Sequence, residues 1–336
     1  MLSTVLEKAE GLLSKRFIIA YWFPTFFAVV AALALRVTVY TWEASWAWWL
    51  SLTVGENQTG QVWVLLAFLL LITLFAYLLQ PFTRPLVQFF EGYLWPPFLR
   101  RWRTGHQQKR YHRWIEKAKL NDEITRAQAE DQLFYGFPLK GLLPTRLGNA
   151  IRAAEGYGNA VYGMDLPFWW ARLWPLLPEG EQEAINDALT VLVALLHLAT
   201  LLLVAAIDGT LYFVRCKTIP LYLCLLPFVV GIGLAYLAYI AAAVQARSYG
   251  QHLRVAVDLH RFDVLKGMHL ALPETPQAER ALWDNTREWL YGYNRGLAHQ
   301  VTYLHPDGTK PKEDKKEVEP AKPWWEQLLE WLRVST

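Results

Sequence analysis

From Gln61 to Gln80 the chain reads QVWVLLAFLLLITLFAYLLQ, without one charged side chain. About 20 apolar residues rising 1.5 Å each cover the roughly 30 Å hydrocarbon core of a bilayer. In lipid every backbone N–H and C=O must be satisfied within the segment, so a lone run of this kind crosses as a helix. Composition agrees: 54% of the 336 residues are hydrophobic and 19% are charged, against about 45–50% and 25% in an ordinary soluble chain. Disordered, collagen-like, coiled-coil and disulfide-scaffold classes are excluded on the same grounds. The 17 tryptophans suit helix ends at headgroup level, where an amphipathic indole is favoured.

Three further runs reach spanning length, at about 17–35, 188–207 and 219–244. Pro24, in the first, is expected to kink or unwind one turn without preventing insertion. A secretory signal is the rival reading of that run, because Lys15 and Arg16 precede it and Ala32-Leu33-Ala34 resembles a cleavage site. Its length, its bulky aromatics and the helix-like leader before it favour a retained span. In that leader Thr4 and Glu7 have capping-box spacing, and Leu2, Val5, Leu6, Leu12 and Leu13 form an apolar stripe suited to lying along the inner leaflet.

Basic residues set the expected orientation. None occurs from Val37 to Thr83, whereas 14 lie between Arg84 and Asp187 and 13 follow Val244. With an even number of spans, both ends and both hydrophilic regions fall on the cytoplasmic side of a bacterial inner membrane. Arg215 and Lys217, on the short loop between the third and fourth spans, run against this count.

The expected organisation is therefore an all-α integral membrane protein: four transmembrane helices in two hairpins plus a cytoplasmic helical domain. An amphipathic leader, 1–16, precedes the hairpin 17–80, whose spans are 17–35 and 61–80. Region 81–187 is cytoplasmic and helical with interfacial segments. Hairpin 188–245 follows, then a helical region 246–305, a solvated tether 306–323 and an amphipathic Trp-rich helix 324–336.

Within the middle region, prolines from Pro81 to Pro144 limit helices to short pieces, and no period-two pattern calls for a sheet. Residues 82–94 form an interfacial helix with Leu86, Phe89, Phe90, Tyr93 and Leu94 on one face. Arg100, Arg101, Arg103, Lys109, Arg110 and Arg113 are interleaved with Trp102, Tyr111 and Trp114. Each basic residue near an anionic leaflet contributes about 1 kcal/mol, so a lipid surface is the preferred partner, a solvated face the next and nucleic acid the least favoured. Thr145 caps a helix on which Arg146, Asn149, Arg152 and Glu155 share a face. The Trp-rich stretch 161–178 is open between interfacial, re-entrant and domain-core readings.

After the fourth span, Gln251 to Lys266 continues as a helix with Leu253, Val257, Leu259, Phe262 and Leu265 available for packing, and Thr275 with Pro276 starts another ending near Tyr291. In the tail, Trp324, Trp325 and Trp331 mark a membrane-surface contact or a protein-partner contact, since a helix this short needs a surface.

The phrase PTRLGN, RAAE, YG.D and W.RLWPLLP in 143–178, with AVDLHRFDVLKGMHLALPETPQAERALW in 256–283, resembles a group of bacterial multi-pass membrane proteins. The resemblance directly covers about a quarter of the chain. It implies a bacterial membrane protein and carries no activity, cofactor or catalytic residue.

Chemistry-bearing candidates are few. His197 is ionisable at mid-span depth, where a partner such as Thr200 or a neighbouring tyrosine is expected; its functional reading is a proton relay, gate or ligand. Arg146, Arg152 and Arg172 with Glu155 and Asp165 would surround an anionic headgroup or polar substrate, or form a structural salt-bridge network. Gly231, Ala235, Ala238 and Ala242 let helix backbones approach, within the chain or in a homo-oligomer. Pro227 with Gly231 and Gly233 would mark a discontinuous helix of the transporter kind, but the first half holds no counterpart. Two cysteines, Cys216 and Cys224, are too few for a four-thiolate zinc site, and His252, Asp258, His260, Asp263 and His269 read as scattered. Phosphate-loop, dinucleotide, zinc-protease and nucleophile-elbow motifs are not found. No cofactor is expected, and the favoured role is non-enzymatic: scaffold, sensor or regulatory subunit. An oligomeric channel or small transporter through His197 is the alternative, and a lipid-active enzyme the second. The charge count predicts that a reporter thiol at Gln108 or Gln277 resists membrane-impermeant labelling of intact cells; labelling there refutes the arrangement.

Overall fold

The computed structural model describes residues 14–37, 47, 58–215, 220–292 and 303–304. Most of the leader, the tether and the segment carrying Trp324, Trp325 and Trp331 lie outside the described residues, with the expectations made for them. Among the described residues the chain is helical, apart from one isolated antiparallel bridge between Leu270 and Tyr303.

Helix α1 comprises Lys15–Phe17, a π-helical stretch Ile18–Trp22 and Phe23–Val37. The widened turn precedes Pro24, which has no N–H to offer the ladder, so adaptation occurs there rather than by a break. Helix α2, Gln58–Leu79, turns through a 3₁₀ segment holding Pro81 into α3, Thr83–Glu91. Gly92 ends α3 at φ 93°, and a Cβ there would sit 2.2 Å from Pro144, so both conformation and space require glycine. Next come α4, Pro97–Ala118, and α5, Glu123–Gly136. Thr145 caps α6, Arg146–Glu155, its Oγ1 accepting from the Gly148 amide at 2.9 Å. Short helices α7, Tyr157–Tyr162, and α8, Leu166–Leu173, lead into α9, Glu179–Arg215. A four-residue turn of helix, α10 (Leu221–Cys224), precedes α11, Leu226–Gly267; Thr275 then caps α12, Pro276–Tyr291.

Helices α1, α2, α9 and α11 contain four segments long and apolar enough to cross a membrane. They form two antiparallel pairs. Phe17 stacks on Tyr77 at 4.3 Å while the Trp22 indole N–H donates to Thr73 at 3.1 Å, which sets α1 against α2. Gln245 donates to the Ala188 carbonyl at 3.4 Å and Gly231 abuts Ala206, which sets α9 against α11. Helices α1 and α9 run parallel, tied by Lys15–Asp187 at 3.1 Å at one end and Arg36–Asp208 at 2.8 Å toward the other. The C-terminal ends of α1 and α9 therefore lie at one end of the bundle and the helical domain at the opposite end.

The third and fourth spans are parts of longer rods than expected. At 1.5 Å per residue, the 37 residues of α9 and 42 of α11 measure about 55 and 63 Å, well beyond roughly 30 Å of hydrocarbon. The excess projects beyond any bilayer and forms the spine of the domain. Pro227 occupies the first turn of α11, where its missing N–H is harmless, so the interruption falls at Leu225, near the helix start, and not at mid-span.

Stretch 161–178 is domain core. Trp169 and Leu173 are fully buried, and Trp169 meets Trp283 of α12 edge-on at 4.9 Å. Around them pack Leu166, Val257, Val264 and Leu265. Of the α11 positions expected to pack, Leu253, Val257 and Leu265 are buried, whereas Leu259 is exposed and Arg254 takes a buried place instead. Helix α6 lies on α11 through small residues: a Cβ on Gly250 would sit 2.8 Å from that of Ala154.

At Gly231 an added Cβ would stand 2.2 Å from the Ala206 Cβ, whereas at Gly233 nothing lies within 4 Å. Gly231→Leu is expected to destabilise the full chain by about 1–3 kcal/mol or more through overpacking. Gly233→Ala should be neutral or stabilising by up to about 1 kcal/mol from helix propensity. Thermal melts in detergent compare the two, and equal effects would refute the close contact.

Candidate functional site

A cleft of about 760 Å³ lies between the end of α5, the C-terminal half of α6, α7 and α11. Arg254 of α11 lies against its wall, only 5% exposed. Its Nη2 donates to the carbonyls of Phe134 at 2.7 Å and Ala153 at 3.3 Å. Three rings surround the guanidinium, those of Phe134, Tyr135 and Tyr157, at 4.1, 4.7 and 5.1 Å. Its Nε and Nη1 have no hydrogen-bond partner among the described residues. Burial lowers the pKa of this arginine, while the neighbouring Asp258 pulls it upward.

Arg152, Glu155 and Asp165, singled out from the sequence, all line this cleft. Arg152 leans over Gly141, where a Cβ would approach its Nη2 to 2.8 Å. Asp165 is paired with Arg287 of α12 at 3.3 Å. Glu155 is half-buried, and burial raises its pKa although Arg152 opposes the rise. Beyond the Pro81 corner, Glu91 at the end of α3 is raised to about 7 by burial and by the charge of Glu155. Burial, with Glu155, likewise pushes the Tyr249 phenol up to about 12.

The other predicted residues stand elsewhere. Arg146 is at the opposite end of α6, toward the bundle of long apolar helices, its amide donating to the Tyr239 hydroxyl at 3.1 Å. It neighbours Arg110, whose pKa burial and the charges of Arg146 and Arg247 hold down at about 10. Arg172 folds over Phe168 and Trp169 on its own helix, at 4.7 and 5.4 Å. On α4, Arg100, Arg101, Lys109 and Arg113 are exposed, Arg103 is half-exposed beside Trp102, and Phe98 and Trp102 are exposed at the helix start. This gives α4 a mixed basic and aromatic surface.

His197 is buried, with Nδ1 3.0 Å from the Val193 carbonyl and the Tyr21 ring edge-on at 5.0 Å. Its expected partner Thr200 instead donates to the Leu196 carbonyl, because a threonine in a helix reaches back one turn. The Val193 contact assigns a proton to Nδ1, and the Leu79 carbonyl of α2 is the second backbone group that the ring meets. Beside it is a niche of about 260 Å³ lined by Leu79, Phe82, Leu86 and Phe89.

The histidines after the fourth span are not all scattered. His260 faces Asp263 at 3.0 Å and Glu181 at 3.3 Å. Burial opposes its charge, but these carboxylates win and raise its pKa. No group of three metal-ligating side chains forms among the described residues.

Sequence reasoning missed Arg254, Lys140 and the rings of the cleft. A signal existed: Arg254, Asp258 and Arg261 recur at intervals of four and three along α11, on a helix otherwise expected to pack through aliphatic residues. Asp258 accepts from the hydroxyls of Tyr157 at 3.1 Å and Tyr162 at 2.8 Å, and Arg261 pairs with buried Glu279 at 2.9 Å.

A carboxyl whose folded pKa lies above its unfolded value stabilises the fold at low pH, and that contribution is lost as pH rises through the folded value. For Glu91 the window runs from its ordinary 4.5 to about 7. Glu91→Gln removes the titration and keeps the shape, so the melting temperature of the variant should fall less than that of the parent between pH 5 and 8. Identical pH profiles would contradict the burial of this carboxyl.

Comparisons of the chain with protein-family models, curated proteins and solved structures give no match, so every role discussed rests on the geometry of this chain.

Proposed function

We propose that this protein is a non-enzymatic membrane module, a sensor or regulatory subunit, in which a domain carrying a ligand cleft is built directly on two membrane-spanning rods. The carrying observation is the continuity of α11. One uninterrupted helix contributes Gly231 and Ala235 to the span, Tyr239 to the contact with α6, and Arg254 to the cleft. A change at the cleft thus meets the spanning part with no flexible joint between them.

The proposed setting is a bacterial inner membrane with both termini and the domain in the cytoplasm, as the segregation of basic residues supports. Partners under this reading are membrane lipids, with anionic headgroups meeting Arg100, Arg101, Arg103, Lys109, Arg110 and Arg113, and a protein docked by the C-terminal Trp-rich helix. Exposed Phe98 and Trp102 beside these cations favour a lipid surface.

An oligomeric channel or small transporter is the second reading. It draws on His197, buried beside a niche in the apolar bundle, and on the Arg36–Asp208 pair, whose side chains are 42% and 46% exposed. A route between α9 and α11 is disfavoured by the fit of Gly231 against Ala206. A lipid-active enzyme is the third.

Purified full chain in proteoliposomes separates the three. The regulatory reading expects no selective ion or solute flux and an unchanged lipid mass spectrum after incubation. Selective flux would replace it with the channel reading, and a changed headgroup or acyl chain with the enzyme reading.

A further inference from the structure

We infer that the cleft between α5, α6 and α11 binds a soluble phosphate monoester carried on a planar ring. The inference deepens the sensor reading by naming the class of ligand sensed.

Charge comes first. Lys140, Arg152 and Arg254 line the cleft, and among the described residues none of them has a carboxylate within ion-pair distance. Of the two acids on the wall, Asp165 is neutralised by Arg287, and burial favours the protonated form of Glu155. With Arg280, whose Nη2 donates to the carbonyls of Ala160 and Val161, four cations thus line the cleft against one weakened acid, an excess suited to a group bearing two negative charges. Arginine forks match phosphate oxygens in geometry as well as charge.

Arg254 supplies the second observation. It is 95% buried, by its 5% exposure, yet Nε and Nη1 are unpartnered. Buried donors are ordinarily satisfied, and leaving a charged one unmade is costly. The rings of Phe134, Tyr135 and Tyr157 cover these two atoms, so Arg254 lends the cleft wall a held positive charge rather than exposed donors, and Lys140 and Arg152 supply the donors that an anion meets.

The rings supply the third. Phe134 and Tyr157 line the same space, meeting edge-on at 6.0 Å, with Phe137 beside them. An aromatic wall next to a cationic one selects a planar apolar body attached to the anion. The volume, about 760 Å³, falls in the range of small-molecule sites.

Phosphate could come from a lipid headgroup or from a soluble compound. Arg254 lies about 22 Å along α11 from Tyr239, at 1.5 Å per residue, and Tyr239 ends the stretch in contact with the membrane-proximal end of α6. That depth favours the soluble source.

The test uses the full chain in nanodiscs of phosphatidylcholine and titration calorimetry with phenyl phosphate, inorganic phosphate and phenol. Phenyl phosphate is expected to bind at least about tenfold more tightly than either fragment, because both walls are engaged. Lys140→Gln, on an exposed loop, and Arg152→Gln should each weaken it about tenfold at unchanged melting temperature. Arg172→Gln, away from the cleft, should bind as the parent does. Phenol binding as tightly as phenyl phosphate, unchanged affinity in both cleft variants, or no heat at about 1 mM ligand would overturn the inference. Loss of phenyl phosphate binding in phosphatidylglycerol nanodiscs alone would also overturn it, since a headgroup would then be the occupant. None of these failures touches the flux and lipid outcomes that decide the sensor reading, and selective flux would leave phenyl phosphate binding intact.

Discussion

The contact between α9 and α11 determines where everything else can lie. Lipid chains are as apolar as leucine, so two helices in a bilayer gain little by burying bulky side chains against each other, and close backbone approach must hold them instead. Gly231 against Ala206 and the cluster of Ala199, Ala235 and Ala238 provide that approach. The same track of small residues continues through Ala242, Ala243 and Ala246 to Gly250, where α6 lies across it. One face of α11 therefore meets α9 along the spans and α6 within the domain.

Beyond the small-residue track, α11 changes its chemistry. Arg254, Asp258 and Arg261 point toward α5, α7 and α12, with Tyr157, Tyr162 and Glu279 as partners. Buried ion pairs of this kind add little net stability, because desolvation offsets most of the Coulomb attraction. Their value is registry: an Arg261 displaced by one turn would leave Glu279 buried and uncompensated. The short helices α7 and α12 are thereby fixed in position on a rod that also enters the bundle, and the cleft inherits that rigidity.

Spans and caps were legible in the sequence because each depends on local rules. The charge-free 61–80 run, the Thr145 and Thr275 caps and the helix after Pro97 follow from hydropathy, side-chain reach and proline geometry. Part of the site was legible too, since Arg152 and Glu155 share a helical face and Asp165 follows closely. Arg146 shares that face but sits two turns nearer the membrane, so spacing alone placed it wrongly with the cleft. Arg254 was illegible for a different reason: an arginine among aliphatic residues reads as solvated, and only the convergence of α5 and α7 supplies the rings and carbonyls that bury it. The helix over 251–266 was legible, but its unbroken junction with the fourth span and the extension of α9 to Glu179–Arg215 were not, because hydropathy marks the apolar part of a helix and not where it ends.

Helix α2 obeys a different constraint from its neighbours. Trp63 and Leu70 are each 70% exposed, and among the described residues of this helix only Ile72 and Ala76 are buried. Its polar and aromatic ties to α1 are gathered at one end, at Thr73 and Tyr77. Packing within the chain therefore contributes little to its position, whereas α9 and α11 contact each other along their length. The niche beside His197 lies at this boundary, with Leu79 of α2 on the loosely packed side and Leu86 and Phe89 of α3, His197 and Thr200 on the tight one. Helix α3 belongs with the tight side because Phe90 stacks on Tyr239 and the Glu91 carbonyl accepts from Thr145. Regions with few buried contacts open at the lowest free energy, so the wall of the niche formed by α2 is the one that yields at least cost.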